Sequence, residues 1–404
     1  MIKELKKLYE NKFFLRFSSS SLLMFSARYM DFAIIGWLIT SLSNDPSSVG
    51  LLIFLRFIPL TTSGLVSGWL VDKFSRLKII KTIIVITSIY YFLLSYYLLT
   101  GNGTIEIFYI ITFISGILSS IDLASRQSYL SNLVRKKILK FALAIDIILM
   151  NLCIFLGPNL GMLFYEIIDF EQIYFYLGII TLISLLIIRK NPKLSMLKNK
   201  KEEYSGFAKG VGFAIKNKLI LSTLLILAFG NFFAFSFESM APYVGKNILN
   251  SSPQEFSFLL SMQGLGALSG AILFLPLIVK INRPGFVFAI SSILLCIFSF
   301  LFSFENSYFM TCVIIFFGGL SIAIFGNMHA RILISQTPNP LRGRIQGLRQ
   351  LSIGFFPLGS LFLGLSGDYF GISTSIRLFS FAGVLVTIFI LILFRELRKK
   401  IKSI

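Results

Sequence analysis

Charged residues are scarce in this chain, and their scarcity indicates its class. Asp, Glu, Lys and Arg make up only 14% of the 404 residues, whereas soluble domains contain about a quarter. Apolar residues make up 55% of the sequence, and the mean hydropathy is +0.82. The composition therefore predicts an integral membrane protein.

Residues that serve catalysis or metal binding are also few. The chain has one histidine and three cysteines, and Cys153, Cys296 and Cys312 all lie inside apolar runs, where we interpret them as small hydrophobic residues. It contains no Gly-rich phosphate loop of the Gly-x-x-x-x-Gly-Lys-Ser/Thr type, so it is not expected to be an ATPase. No repeated filter or charged ring of a channel is visible. We expect no enzymatic activity, no metal and no cofactor.

Long apolar runs dominate what remains, and each is long enough to cross a bilayer as a helix. Hydropathy predicts about twelve such spans. Their extents are 13–41, 49–71, 79–99, 105–125, 139–163, 172–189, 218–240, 255–279, 285–304, 308–330, 345–366 and 372–394. The expected fold is an all-α membrane protein with both termini on one side.

The net charge is +20. The basic residues are distributed according to the predicted spans, which argues against a nucleic-acid-binding surface. The 38 Lys and Arg residues lie in alternate links, with four exceptions at Arg28, Arg56, Lys246 and Arg377. The opposite links are acidic, with residues such as Asp45, Glu106 and Asp368. Basic loops stay in the cytoplasm. We therefore predict a multi-pass protein of a bacterial-type plasma membrane with cytoplasmic N- and C-termini.

The longest link is polar and basic, and it separates six spans from six. It predicts an N-terminal bundle over residues 1–189, a cytoplasmic linker over 190–217 and a C-terminal bundle over 218–404. Two such halves around a central cavity are the architecture of secondary transporters, with the binding site near the midplane.

The link between the second and third spans carries the strongest motif. It reads Gly68-x-x-x-Asp72-Lys73-x-x-Arg76-x-Lys78, and it is short enough to form a tight turn at the membrane surface. Asp72 and Arg76 are four residues apart, a spacing that brings them together if the turn is partly helical. The alternative is an ordinary cytoplasmic turn with solvated charges.

This motif resembles the signature loop of the major facilitator superfamily. Lys73 and Ser75 stand where the family usually has arginine and glycine. The resemblance implies a fold of two pseudo-symmetric six-helix bundles. It also implies a cytoplasmic gate, in which Asp72 and Arg76 hold the cytoplasmic side shut while the outside is open.

Two further motifs resemble the export branches of the same family. Gly157-Pro158-x-x-Gly161 in the fifth span is similar to the end of an exporter motif, in which small residues would let the fifth and eighth spans approach. Pro338-x-x-Leu341-Arg342-Gly343-Arg344 is similar to a link of the branch that includes the enterobactin exporter and macrolide efflux proteins. The resemblance covers nearly the whole chain and implies export.

Ionisable residues inside the first two spans are candidates for a transport role, because each costs about 2.5–3.5 kcal/mol on insertion. Arg28 and Asp31 share a face of the first span, and Arg56 lies at a similar depth in the second. We expect Asp31 to cluster with Arg56, Arg28 or both. The cluster could be a permanent ion pair or a carboxylate that responds to protons or substrate.

Three more acids are candidates. Asp122 either pairs locally with Arg126 or leaves Arg126 free to reach Asp72 and join the gate. Asp146 in the fifth span is a proton-site candidate, because burial disfavours an ionised carboxylate. Glu238 at the outer end of the seventh span is either a surface acid or a transport residue, with Arg377 as its expected counter-charge.

The leading prediction is a secondary exporter of small amphiphilic compounds (a drug, macrolide or siderophore-like molecule), driven by proton antiport through alternating access. Its partners would be its substrate, protons and membrane lipids, and it would work as a monomer. The alternative is a lipid or lysolipid flippase of the same fold without proton coupling. A membrane receptor or scaffold is a third reading.

Overall fold

The computed structural model describes residues 8–101, 104–189, 207–278, 281–304 and 307–400. Within these ranges eleven helices are long and apolar enough to cross a membrane, and a shorter apolar helix, Pro46–Thr61, belongs to the second predicted span. In chain order the first six spans are Lys12–Leu42, Pro46–Lys73, Arg76–Leu99, Ile105–Leu133, Lys136–Ile167 and Phe170–Ile187. The last six are Lys218–Asn247, Pro253–Ile278, Pro284–Phe302, Tyr308–Ser335, Arg342–Phe370 and Ile372–Leu393. The twelve-helix prediction is confirmed.

Asparagines begin two of these spans. The side-chain oxygen of Asn11 accepts from the backbone N–H groups of Phe13 and Phe14 at 3.1 and 3.2 Å. Asn217 does the same for Leu219 and Ile220, at 3.1 Å each. Such caps satisfy donors that have no partner within the helix, which fixes where the first and seventh spans start.

The seventh span is not one regular helix. An α-helix over Lys218–Phe229 passes into a π-helical segment over Gly230–Ala234, and two short helices, Ser236–Ser239 and Ala241–Asn247, complete the span. Asn231 donates from its side-chain nitrogen to the carbonyl of Leu227 at 2.8 Å. π-segments inside helices are often found at functional sites.

The chain forms two compact units. The first contains Met1–Leu38 and Thr62–Lys201, and the second contains Ile39–Thr61 and Glu202–Ile404. The end of the first span and the beginning of the second therefore pack with the later half of the chain, which hydropathy did not indicate. The predicted division at 190–217 stays a prediction, because residues 190–206 of that linker lie outside the described residues.

The first unit packs through apolar side chains and one close crossing. Its core includes Phe17, Ile80, Ile84 and Leu130. The third and sixth spans cross at Gly178, whose carbonyl accepts from the Ser88 hydroxyl at 2.8 Å. This crossing brings polar groups of both spans into the interior.

The eighth and tenth spans of the second unit cross in direct backbone contact. A Cβ on Gly266 would overlap the carbonyl oxygen of Phe316, and one on Gly319 would overlap that of Gln263. Small residues allow such contact between the eighth and tenth spans. Phe288 and Phe325 form a pair in the core, with ring centroids 4.7 Å apart.

Large apolar side chains on the outer surface complete the fold of a membrane protein. Leu186 is 74% exposed, Phe309 is 71% exposed and Leu93 is 63% exposed. A soluble protein rarely presents so much contiguous apolar surface. These faces fit the hydrocarbon of a bilayer.

Candidate functional site

An ion pair within the fourth span is the centre of the candidate site. Nε of Arg126 lies 2.9 Å from each carboxylate oxygen of Asp122, one helical turn earlier. Both side chains are 0% exposed. The local pair expected from the four-residue spacing is confirmed.

A second arginine shares the same carboxylate. Nη2 of Arg28, in the first span, donates to Oδ2 of Asp122 at 2.8 Å. Ser21, two turns earlier in the first span, accepts from Nη1 of Arg126 at 2.9 Å. The first and fourth spans are therefore joined by two charge-assisted hydrogen bonds inside the first unit.

Asp146 of the fifth span lies beside this pair. It is partly buried and close enough to interact electrostatically with both Arg126 and Asp122. Its Oδ1 atom is buried and has no hydrogen-bond partner among the described residues. Two arginines and two aspartates thus meet in the interior of the first unit, and we call Arg28, Asp122, Arg126 and Asp146 the four-charge network.

The four-charge network is electrically balanced only when both aspartates are ionised. Protonation of Asp146 would leave one net positive charge, and unpaired charge is costly in an interior of low dielectric constant. Asp122 is held by two arginines, whereas Oδ1 of Asp146 has no hydrogen-bond partner among the described residues. Asp146 is therefore the less tightly held of the two acids.

Arg28 also connects the network to a small cavity. Its side chain is 18% exposed. The cavity lies among the first, third and fourth spans, and its lining is mixed, with Arg28, Thr87, Tyr90, Tyr91, Ser115 and Ser119 beside Met24 and Leu118. Arg28 therefore belongs both to the charged network and to the wall of this cavity.

Asp31 and Arg56 are buried. Asp31 is 0% exposed and accepts from the hydroxyl of Tyr174 at 3.2 Å. Arg56 is 6% exposed and belongs to the second unit. The pairing of Asp31 with Arg56 stays a prediction, while Arg28 has the partner in Asp122 that the sequence did not indicate.

Glu238 is partly buried in the second unit, with its Oε1 atom fully enclosed. It interacts with the side chain of Gln263 in a small cavity that is otherwise apolar and is lined by the seventh to tenth spans. The prediction that Arg377 is the counter-charge of Glu238 was wrong. The guanidinium of Arg377 lies over the ring of Phe304, 4.4 Å from its centroid, and makes no ion pair with Glu238. A cation over an aromatic face gains an electrostatic attraction that needs no carboxylate.

The gate motif is only partly described. The helices on either side are in place, with the second span ending at Lys73 and the third beginning at Arg76, which is half-buried. The side chains of Gly68 and Asp72 lie outside the described residues. The gate therefore stays a prediction, as does a contact between Arg126 and Asp72.

The glycines of the fifth-span motif contact the first span. A Cβ on Gly157 would lie 2.6 Å from Cβ of Tyr29, and one on Gly161 would lie 3.3 Å from Cα of Met30. Their nearest neighbours are in the first span, and the approach of the fifth and eighth spans that the resemblance implies stays a prediction. Pro158 lies inside the continuous helix Lys136–Ile167. This packing places the fifth span directly against the first.

A family model for the Major Facilitator Superfamily matches residues 17–247 and 239–404. The chain belongs to the Major Facilitator Superfamily. The resemblance that the Asp72 motif suggested is thus confirmed at the level of the family.

One curated relative matches nearly the whole chain. It is a staphyloferrin A transporter of Staphylococcus aureus (strain NCTC 8325 / PS 47), 23% identical over 395 residues, with 96% of each protein covered.

Solved structures of the same superfamily confirm the fold. A POT family transporter in complex with a thioalcohol-conjugated peptide has a TM-score of 0.75 and 12% identity, with 95% of this chain and 96% of that one covered. A bacterial homologue of the human lysosomal transporter Spinster has a TM-score of 0.69 and 15% identity, with 95% of both chains covered. The nucleoside transporter NupG has a TM-score of 0.67 and 17% identity, with 95% and 100% covered.

This facilitator protein is therefore a multi-pass membrane transporter, and a few of its charged residues form a network inside the helices of the first unit. The sequence identified all four members of the four-charge network and the Asp122–Arg126 pair, but not that Arg28 and Asp146 join this pair. It also gave no sign of the part played by Ser21 and Tyr174, since serine and tyrosine are common throughout the spans.

Proposed function

We propose that this transporter is a proton-coupled exporter of small amphiphilic compounds, such as drugs, macrolides or siderophores, across the plasma membrane. The four-charge network is the observation that carries this proposal. Intramembrane charges mark ion pathways and proton relays by default. A balanced network with one weakly held aspartate is suited to exchange a proton.

The charges also set the sign of the coupling. With Asp146 ionised, the network has no net charge; with Asp146 protonated, it carries one positive charge. A cargo with a basic nitrogen is repelled by the protonated form and accepted by the ionised form. A basic cargo and the proton then exclude one another, which is the requirement for antiport.

The transport cycle follows from this exclusion. Asp146 accepts a proton from the outside, releases it to the cytoplasm and so makes the site ready for cargo. The bundles 1–189 and 218–404 alternate around the site, and Asp72 and Arg76 latch the cytoplasmic side while the outside is open. Both termini lie in the cytoplasm, and the protein works as a monomer.

The curated relative supports a siderophore as the cargo. Its name specifies staphyloferrin A, a siderophore. The partial exporter motif at Gly157-Pro158-x-x-Gly161 supports the outward direction. The lipid flippase has no observation in its favour among the described residues.

Inverted membrane vesicles with an acid interior test the proposal. A pH-sensitive dye inside the vesicles reports on the addition of macrolides, cationic dyes, tetracycline, a catecholate siderophore and staphyloferrin A in turn. We expect at least one compound to make the interior more alkaline. The response should be absent from vesicles that contain Asp146→Asn, because a basic compound that diffuses in uncharged would raise the interior pH in both. Acidification on addition of cargo would indicate movement with the proton and overturn antiport, and no response to any compound would overturn the cargo class.

A further inference from the structure

We propose that Lys246 and Asp368 form an outer clamp that holds the hairpin between the first and second spans in place, and that this clamp must open in each transport cycle. The inference rests on the proposed alternating-access function. All of its residues belong to the second unit. By the distribution of basic residues they lie at the outer side of the membrane.

The first contact is at the end of the first span. Nζ of Lys246 donates to the carbonyl oxygen of Thr40 at 3.0 Å and to the hydroxyl of Ser41 at 2.7 Å. Thr40 is within the last turn of a helix that ends at Leu42. The last carbonyls of a helix lack partners and carry partial negative charge, so a lysine there is favourable.

The second contact is at the start of the second span and has the opposite sign. Oδ1 of Asp368 accepts from the backbone N–H of Ser47 at 3.1 Å. Ser47 follows Pro46, where the helix begins. The first N–H groups of a helix carry partial positive charge, so a carboxylate there is favourable. One hairpin is thus capped at both of its helix ends by residues distant in the sequence.

The turn between the two helix ends is itself ordered by short hydrogen bonds. The hydroxyl of Ser43 donates to Asp45 at 3.2 Å and accepts from Ser48 at 2.8 Å. The hairpin can therefore move as one piece when the two clamping contacts break.

Glycines bring the hairpin into direct contact with the eleventh span. A Cβ on Gly50 would lie 2.6 Å from the carbonyl oxygen of Ser360, and one on Gly364 would lie 2.9 Å from that of Pro46. At these two glycines the backbones touch without a side chain between them. Small residues allow such close contact between helices.

Both contacts of the clamp are accessible to solvent. Asp368 is exposed and Lys246 is only partly buried, so water weakens both contacts. A contact of this kind can bias an equilibrium between two states without fixing one of them.

Thiol labelling tests the clamp without cargo or a proton gradient. Ser360 is 0% exposed, so a cysteine in Ser360→Cys is shielded from a membrane-impermeant maleimide. Adding Lys246→Ala and Asp368→Asn should raise the outside labelling rate about tenfold, which corresponds to ~1.4 kcal/mol. The three native cysteines are buried, so the unmodified protein measures the background labelling.

The labelling experiment has a matched control at an acid outside the clamp. Glu106 is an exposed acid in another link, and Glu106→Gln should leave the labelling of Ser360→Cys unchanged. An unchanged rate after loss of both Lys246 and Asp368, or a rise only in inverted vesicles, would overturn the clamp.

A cross-link provides a second measurement if the labelling variants fail to fold. A Cβ on Gly367 would lie 2.9 Å from Cβ of Pro46, so Pro46→Cys with Gly367→Cys should form a disulfide after a small adjustment. Pro46→Cys with Tyr369→Cys is the control pair, because Tyr369 is 84% exposed. The disulfide should stop cargo movement until a reductant is added, and continued transport by the cross-linked protein would overturn the clamp. Because labelling needs no cargo, the clamp can be confirmed even if the proposed export fails.

Discussion

Arg126 and Asp122 lie one turn apart in the fourth span, and the arginine Nε is 2.9 Å from both carboxylate oxygens. The pair is fully buried, and Arg28 adds a third charge to it. A buried ion pair contributes little net stability, but loss of one member leaves the others uncompensated. The pair is therefore a sensitive place to test the account.

Asp122→Asn should destabilise the protein strongly. The substitution keeps the size of the side chain but leaves Arg28 and Arg126 without a counter-charge, and breaking a buried pair costs about 3–5 kcal/mol. Thermal unfolding in detergent measures the loss. Glu106→Gln is the control, because Glu106 is an exposed acid in the same span; equal stability of the two variants would contradict the buried network.

Glu238→Gln should leave stability unchanged or raise it. Glu238 is partly buried beside Gln263 and forms no ion pair within the described part of the chain, so a neutral amide of similar shape removes a desolvation cost. The same unfolding experiment compares it with Asp122→Asn. A comparable loss in the two variants would show that Glu238 has a charged partner.

Asp72→Asn should abolish turnover while the protein still inserts into the membrane. The expected reason is loss of the contact that latches the cytoplasmic side in the proposed cycle. Cargo efflux and the amount of protein in the membrane are measured together, with Glu10→Gln as a control at an exposed acid on the same predicted side. Normal efflux by Asp72→Asn would remove this residue from the gate.

Gly157→Ala should lower stability by about 1–3 kcal/mol, the usual cost of overpacking. The new methyl group would lie 2.6 Å from Cβ of Tyr29, so the first and fifth spans must move apart. Gly212→Ala is the matched control, because a Cβ there has no heavy atom within 4 Å. Thermal unfolding of both variants tests the packing, and equal stability would contradict it.

The sequence predicted what depends on local chemistry. The spans follow from apolar runs, because a bilayer requires about 20 apolar residues in a helix. The Asp122–Arg126 pair follows from helical spacing alone. Asn217 begins the seventh span for an equally local reason, since its side chain accepts from Leu219 and Ile220.

Contacts between spans could not be predicted in the same way. Arg28 and Asp122 are 94 residues apart, and their meeting depends on how each helix is rotated about its axis. Helices that are apolar on all sides carry little periodic signal for that rotation. The expected pairing of Arg377 with Glu238 was wrong for this reason, because similar depth in the membrane does not make two side chains face each other.

The central claim is that Asp146 couples proton movement to cargo movement, and Asp146→Asn tests it most directly. Labelled cargo is followed in vesicles twice, once driven by a proton gradient and once in exchange for unlabelled cargo without any gradient. We predict that the variant loses gradient-driven uptake and keeps gradient-free exchange, since the asparagine cannot take up a proton but leaves the transport path intact. Gradient-driven uptake at the rate of the unmodified protein would contradict the account.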